Sequence, residues 1–251
     1  MEKLFDFLPQ TVAGKSILVT GGTTGIGRAT AILLASQGAN VMTFGTDEQH
    51  LAEALEDIRK TAGGTVHGFI ADVSQKEGVE KVFAEVEAYF GVLDVLINNA
   101  ALPFGSVTDG GYDDWKHLID TNLTGYIACT GEAVRRMKEE GKGHIVNIGS
   151  MSADVREETS SVYVAAKSAI QGFSASLRKQ VNPDGIKIRL IEPGAVDTDM
   201  QAESSEKKKQ NVENLEMLTA DDIAAAVLYC LMQPERCDVV ELKIRPHLQL
   251  I

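Results

Sequence analysis

The run Ser16-Ile-Leu-Val-Thr20, followed at once by Gly21-Gly-Thr-Thr-Gly-Ile-Gly27 and then by Arg28 to Gln37, decides how the chain folds. The first part is short, apolar and β-rich, as a buried strand is, and the last part repeats apolar residues at helical spacing. Between them the glycines permit a tight turn. That turn brings backbone N–H groups to the positive end of the following helix, where a pyrophosphate could sit. Three loosely spaced glycines alone would say little; the strand before them and the helix after them make the turn a nucleotide-binding one.

Outward from this unit, strand and helix signals alternate. Strands are predicted at Asn40 to Phe44, Val66 to Ile70, Asp94 to Ile97, His144 to Ile148, Ile186 to Ile191 and Asp238 to Lys243. Helices are predicted near Asp47 to Thr61, Gln75 to Phe90, Asp113 to Glu139, Ser161 to Val181 and Thr219 to Met232. Such alternation implies an α/β fold, a doubly wound parallel sheet of about seven strands with helices on both faces. Its ligand crevice would lie at the carboxyl ends of the strands. Polar turns gather at those ends: Gly45-Thr46-Asp47, Ala71-Asp72-Val73, Asn98-Asn99-Ala100, Gly149-Ser150 and Glu192-Pro193-Gly194. Five such turns on one sheet edge exceed what turn chemistry alone asks for. No linker, repeat or low-complexity segment interrupts the pattern, so residues 1–251 read as one domain after a short leader over 1–13. The run Glu206-Lys-Lys-Lys-Gln210 reads as a solvated loop.

Composition narrows the function. A net charge of -12 spread along the chain argues against nucleic acid or an anionic membrane as the main partner. No apolar run approaches the roughly 20 residues of a membrane span. The amino terminus lacks the basic and apolar regions of a secretion signal. Cys129, Cys230 and Cys237 form no C-x-x-C pair, and three thiols suit a reducing compartment. A cytoplasmic location is expected, and no metal site.

Tyr163-Val-Ala-Ala-Lys167 opens a helix whose buried stripe runs through Val162, Ala166, Ala169, Ile170, Phe173 and Leu177. Tyr163 and Lys167 point the same way. An ammonium one turn from a phenol favours the ionised phenol, which would make the tyrosine a usable proton donor and acceptor. The alternative is a tyrosine and a lysine on the wet side of an amphipathic helix.

The elements Thr20-Gly-x-x-x-Gly-Ile-Gly27, Asp72, Asn98-Asn-Ala100, Asn122, Ser150, Tyr163-x-x-x-Lys167 and Pro193-Gly194 stand in one order at one set of spacings. In this the chain closely resembles the short-chain dehydrogenase/reductase family, with its Rossmann-type fold, from about Gly14 to the C-terminus. The resemblance implies that Tyr163 is the general acid or base at the substrate oxygen and that Ser150 hydrogen-bonds that oxygen. It implies that Lys167 lowers the Tyr163 pKa and holds the nicotinamide ribose, and that Asn122 anchors a water leading to Lys167. It further implies a pyrophosphate loop of Gly21, Thr23, Gly25, Ile26 and Gly27, adenine contacts from Asp72 and Val73, and ribose contacts from Asn99 and Ala100. Pro193, Gly194, Val196 and Thr198 would meet the nicotinamide carboxamide. Asp72 could equally be the N-cap of the helix near Gln75.

The choice between NADP and NAD rests on the end of the second strand, where an acid bonds the ribose 2'-hydroxyl and an Arg a 2'-phosphate. Gly45 stands at the place of the acid and Thr46 at that of the Arg, as in the ketoacyl reductases, which favours NADP. Asp47 alongside, and Thr24 where many phosphate-selective members carry a base, argue for NAD. Two departures from the family pattern stand out. Ala101 replaces the usual glycine of Asn-Asn-Ala-Gly, and the segment from Asp154 to Ser161 is unusually charged. Arg156 there could pair with a substrate carboxylate or phosphate, or stand in a solvated loop. The C-terminal Leu218-Thr-Ala-Asp-Asp-Ile223 and Val240 to Pro246, with Gln249, resemble the branch of NADP-dependent 3-hydroxy-acid dehydrogenases and related carbonyl reductases. The substrate is expected to be a small carbonyl or alcohol, with hydroxy acids among the candidates, beneath a lid near 198–216. A 3-oxoacyl-[acyl-carrier-protein] reductase and a non-catalytic cofactor-sensing module are the alternatives. Relatives pair through the third and fourth long helices, so a homotetramer or homodimer is expected.

Overall fold

A computed structural model describes residues 10–201 and 203–249 of the chain. Seven strands, β1 Ser16–Thr20, β2 Asn40–Gly45, β3 Val66–Ile70, β4 Val95–Asn98, β5 Gly143–Ile148, β6 Ile186–Pro193 and β7 Glu241–Ile244, form one sheet in the order β3-β2-β1-β4-β5-β6-β7. Every pairing is parallel. The order reverses between β1 and β4, the place where such sheets open a ligand crevice.

Helices cover both faces because neighbouring residues of each strand point to opposite sides. Ile17 and Val19 of β1 join one core with Ala31 and Leu34 of α1 (Gly25–Ser36), Ile58 of α2 (Glu48–Thr61) and Val227 of α9 (Ala220–Leu231). Leu18, between them, joins the opposite core with Val82 of α3 (Lys76–Tyr89) and Ala133 of α5 (Gly125–Glu140). The chain therefore has the doubly wound parallel architecture that its alternating pattern predicts.

Four local features differ from the sequence reading. The expected single helix from Asp113 to Glu139 is α4 (Tyr112–Ile119), a π turn over Asp120–Thr124, and α5. A short helix α6 (Ser152–Val155) precedes the long α7 (Ser161–Val181). The last strand starts at Glu241 and not at Asp238, since Lys187 Nζ takes the carbonyls of Glu235 and Cys237 and Arg178 takes that of Val240. The lysine run expected in a loop lies in α8 (Ser205–Glu213). Ser204 Oγ accepts from Lys207 N, and the side chain of Lys208 is buried, donating to Thr198 O at 3.0 Å beside Asp197 at 3.4 Å. Of the expected leader, residues 1–9 lie outside the described part; Gln10 N bonds Met232 O and Val12 is buried in the first core.

Candidate active site

The site is assembled at the switch point by hydrogen bonds between strand ends. Thr20 Oγ1 accepts from the backbone N–H groups of Asn99 and Ala100 at 2.9 and 3.0 Å, and Asn99 Nδ2 donates to the carbonyls of Thr20 and Gly21. The turn after β1 is thereby locked to the turn after β4. Gly21 has φ +64°, and a Cβ there would stand 2.8 Å from Ala100 Cα, so only glycine fits. The turn delivers the chain into α1, whose N-terminus has no side-chain cap, leaving first-turn N–H groups directed at the crevice.

Two cavities follow this edge of the sheet. One, of about 210 Å³, runs from Gly45 and Thr46 past Asp72 and Val73 to Gly21, Thr23, Thr24, Gly25 and Ala100. The other, of about 360 Å³, holds Ser150, Tyr163, Lys167, Pro193, Gly194 and Val196. Ile26, Asn99, Ala101, Thr198 and Met200 line both, which makes them one trough. A glycine cradle, an uncapped helix end and a trough reaching from the end of β2 to Tyr163 fit an extended dinucleotide. Two expected site residues stand outside the trough. Gly27 is a packing glycine beneath Gly21 O and the Asn99 amide. Asn122, fully buried in the π turn, spends its side chain on Leu102, accepting from N at 2.7 Å and donating to O at 2.9 Å.

At the inner end, Ser150 and Tyr163 line the same cavity, and Ser150 Oγ accepts from Ser152 N at 3.1 Å. Lys167 Nζ lies 5.6 Å from the centre of the Tyr163 ring and donates to Ile148 O at 3.0 Å. Tyr126 OH donates to the same carbonyl at 3.1 Å. The sequence reading expected Lys167 to lower the Tyr163 pKa, and here burial dominates. It pushes the phenol up to about 12, against which the neighbouring Ser150 hydroxyl pulls down, while the Glu157 charge adds to the rise. Burial also lowers Lys167 to about 8, opposed by the charge of Glu192. The two side chains lie on one face of the helix, and burial is the first cause of both shifts.

Asp72 is not the cap of α3, whose N-cap position is Gln75; its carboxylate accepts from Ser74 N at 2.9 Å in the turn lining the trough. Asp47 caps α2 by accepting from His50 N at 2.8 Å. Arg156 is exposed, at φ +57°, with Nε on Ala153 O at 3.4 Å, and it does not line the cavity; Glu157 does. Gln249 also enters the wall, where its Oε1 accepts from Ala195 N, and Phe104 and Met151 supply apolar surface. Glu157, Phe104 and Met151 carry no motif, because loops bring them in.

Comparison with known proteins agrees with this geometry. The family model described as short chain dehydrogenase matches residues 15–209. The chain belongs to the short-chain dehydrogenase/reductase family. Among relatives of this family member, an uncharacterized oxidoreductase of Staphylococcus saprophyticus is 33% identical over 92% of this chain and 97% of its own length. One from Staphylococcus aureus strain N315 is 35% identical over the same shares. Two solved structures share the fold. A short-chain type dehydrogenase/reductase from Mycobacterium marinum superposes with TM-score 0.84 at 22% identity, covering 94% of this chain and 96% of that one. L-sorbose reductase from Gluconobacter frateurii, solved with NADPH and L-sorbose, gives 0.86 at 21%, covering 97% and 100%. This short-chain dehydrogenase/reductase is an oxidoreductase, and its family works with NAD(P). Among the described residues no helix is long and apolar enough to cross a membrane.

Proposed function

We propose that the chain moves a hydride between NADP(H) and a small carbonyl compound or the matching secondary alcohol, with Tyr163 as the proton donor or acceptor. The observation that carries this reading is the convergence of Ser150, Tyr163 and Lys167 on one cavity, with Lys167 Nζ 5.6 Å from the centre of the Tyr163 ring. When bound, the nicotinamide supplies or accepts the hydride. Ser150 and Tyr163 then both bond the substrate oxygen. A phenol held near 12 keeps its proton at neutral pH yet remains far more acidic than an aliphatic alcohol, so it suits protonation of an oxygen gaining charge. Lys167 would hold the ribose hydroxyls and keep positive charge under the phenol.

NADP is favoured over NAD by the end of β2. A Cβ at position 45 would stand 2.7 Å from Thr23 Cγ2, so the acid that bonds a 2'-hydroxyl has no room there. Thr46 lines the trough as a donor, and Asp47, which could repel a 2'-phosphate, is turned to its helix cap. Tyr163→Phe keeps the ring and removes the proton; hydride transfer should fall about 10²–10⁴-fold while NADPH binding persists. Measuring turnover of a carbonyl panel beside the cofactor dissociation constant checks this, and near-normal turnover in the variant would remove Tyr163 from the chemistry.

A further inference from the structure

Resting on the dehydrogenase reading, the substrate end of the trough also carries a charge rule. Among the described residues lining the 360 Å³ cavity, the charged side chains are Lys167 and Glu157. Lys167 is buried at the floor and bonded to Ile148 O, so it offers nothing to a distant substrate group. Glu157 stands at the outer wall, between α6 and α7. Ser152 Oγ, of the same wall, donates to its Oε1 at 3.0 Å, which holds the carboxylate there, and its backbone carbonyl accepts from Ser160 N at 3.2 Å. Its charge reaches Tyr163, where it opposes ionisation of the phenol. The one base of this loop, Arg156, is exposed, has its Nε on Ala153 O and does not line the cavity. The remaining wall is apolar or neutral, Phe104, Met151, Met200, Gln201 and Gln249 among it. A protein of net charge -12 adds a general field of the same sign.

We propose that Glu157 selects substrates by charge, so that the cavity takes carbonyl compounds whose far end is an uncharged or cationic hydrogen-bond donor, a hydroxyketone or amino ketone, and disfavours keto acids. A carboxylate reaching the outer wall would face Glu157 without a counter-ion, whereas a hydroxyl or ammonium would donate to it. The anion-bearing hydroxy acids of the branch that the C-terminus resembles are thereby disfavoured.

Two ketones of equal length separate the cases: 4-hydroxy-2-butanone and acetoacetate, each reduced with NADPH by the full chain and by Glu157→Gln and Glu157→Lys. The parent should prefer the hydroxyketone in kcat/KM by about tenfold. Glu157→Gln should shrink that preference about fivefold, chiefly by lowering KM for acetoacetate, and Glu157→Lys should reverse it. Glu157 is exposed, so both variants retain the fold. Equal efficiency on the two ketones in the parent, or a ratio unmoved in both variants, would overturn the charge rule and leave the dehydrogenase reading standing. Turnover of neither ketone by any of the three chains would overturn the small-carbonyl reading, and this inference with it.

Discussion

Desolvation is the force that sets the reactivity of single residues here, and its sign differs between groups. Glu192, at the end of β6, has no exposed surface, and neither of its oxygens has a hydrogen-bond partner among the described residues. The neighbouring Gln171 amide is given to Asp154 at 3.1 Å. Lys243 Nζ is 3.7 Å from Glu192 but is shared with Asp154 and Glu241. Burial therefore pushes the Glu192 carboxyl up from 4.5 to about 7. An acid raised on folding favours the fold while protonated, so its stabilising preference is complete below pH 4.5 and is lost as pH rises to about 7. Glu192→Gln keeps the shape and removes the titration. Its stability advantage over the parent should grow by about 2 kcal/mol between pH 5 and pH 8, because each pH unit over which the folded state alone holds the proton is worth about 1.4 kcal/mol. Urea unfolding at the two pH values measures this, and a constant difference would mean that Glu192 is not held neutral by the fold. The same balance explains what was and was not legible in Tyr163 and Lys167. Helical spacing is enough to bring the two side chains to one face. Whether charge attraction or burial decides their pKa depends on Ile148, Tyr126 and Glu192, which arrive from three other elements.

Among elements, those whose residues alternate or repeat were legible, and those shaped by a distant partner were not. Nothing in Asp120-Thr-Asn-Leu-Thr124 breaks a helical pattern, since it holds neither Gly nor Pro, yet it forms a π turn. The wider turn places Asn122 against Leu102, twenty residues earlier, where one amide satisfies both backbone groups. This clamp holds the loop after β4 whose Ala101, in place of the family's glycine, lines both halves of the trough. The helix α8 was hidden for a related reason. A run of three lysines looks solvated until Lys208 finds Thr198 O and Asp197. Asn122→Ala should expose both polar groups of Leu102 and cost about 1–3 kcal/mol, with faster amide exchange at Ala101 and Leu102. Asn122→Asp, which still accepts from Leu102 N, should recover part of the loss. Unchanged exchange in the alanine variant would show that the loop does not depend on the clamp.

Across the whole molecule, the two helices that serve the site are set at a fixed height over the sheet by a buried polar chain. Asn98 and Asn147 are register partners on β4 and β5, so their side chains share one face. Asn98 Nδ2 donates to Asn147 Oδ1 and to Thr130 Oγ1 of α5, each at 2.9 Å, and Asn147 Nδ2 donates to Ser174 Oγ of α7 at 2.9 Å. All four residues are essentially without exposed surface. Helix α7 carries Tyr163 and Lys167, while α5 carries Tyr126, which meets Lys167 at Ile148 O. The chain of amides and hydroxyls thus fixes the spacing of the acid–base pair from the strand ends that hold the cofactor trough. Asn98 is easily read from sequence as part of a cofactor motif, but Thr130 and Ser174 pass for ordinary helix residues, because only the parallel register brings them together. Were the chain a mere filler, removing either end would act independently. As a coupled network, Asn147→Ala should cost about 2 kcal/mol or more, through the unpaired Asn98 and Ser174 groups it leaves buried. Ser174→Ala added to it should then cost less than it does alone, with a coupling of about 0.5–2 kcal/mol by denaturant unfolding at constant m. Additivity within about 0.3 kcal/mol would show that the helices are seated by apolar packing alone.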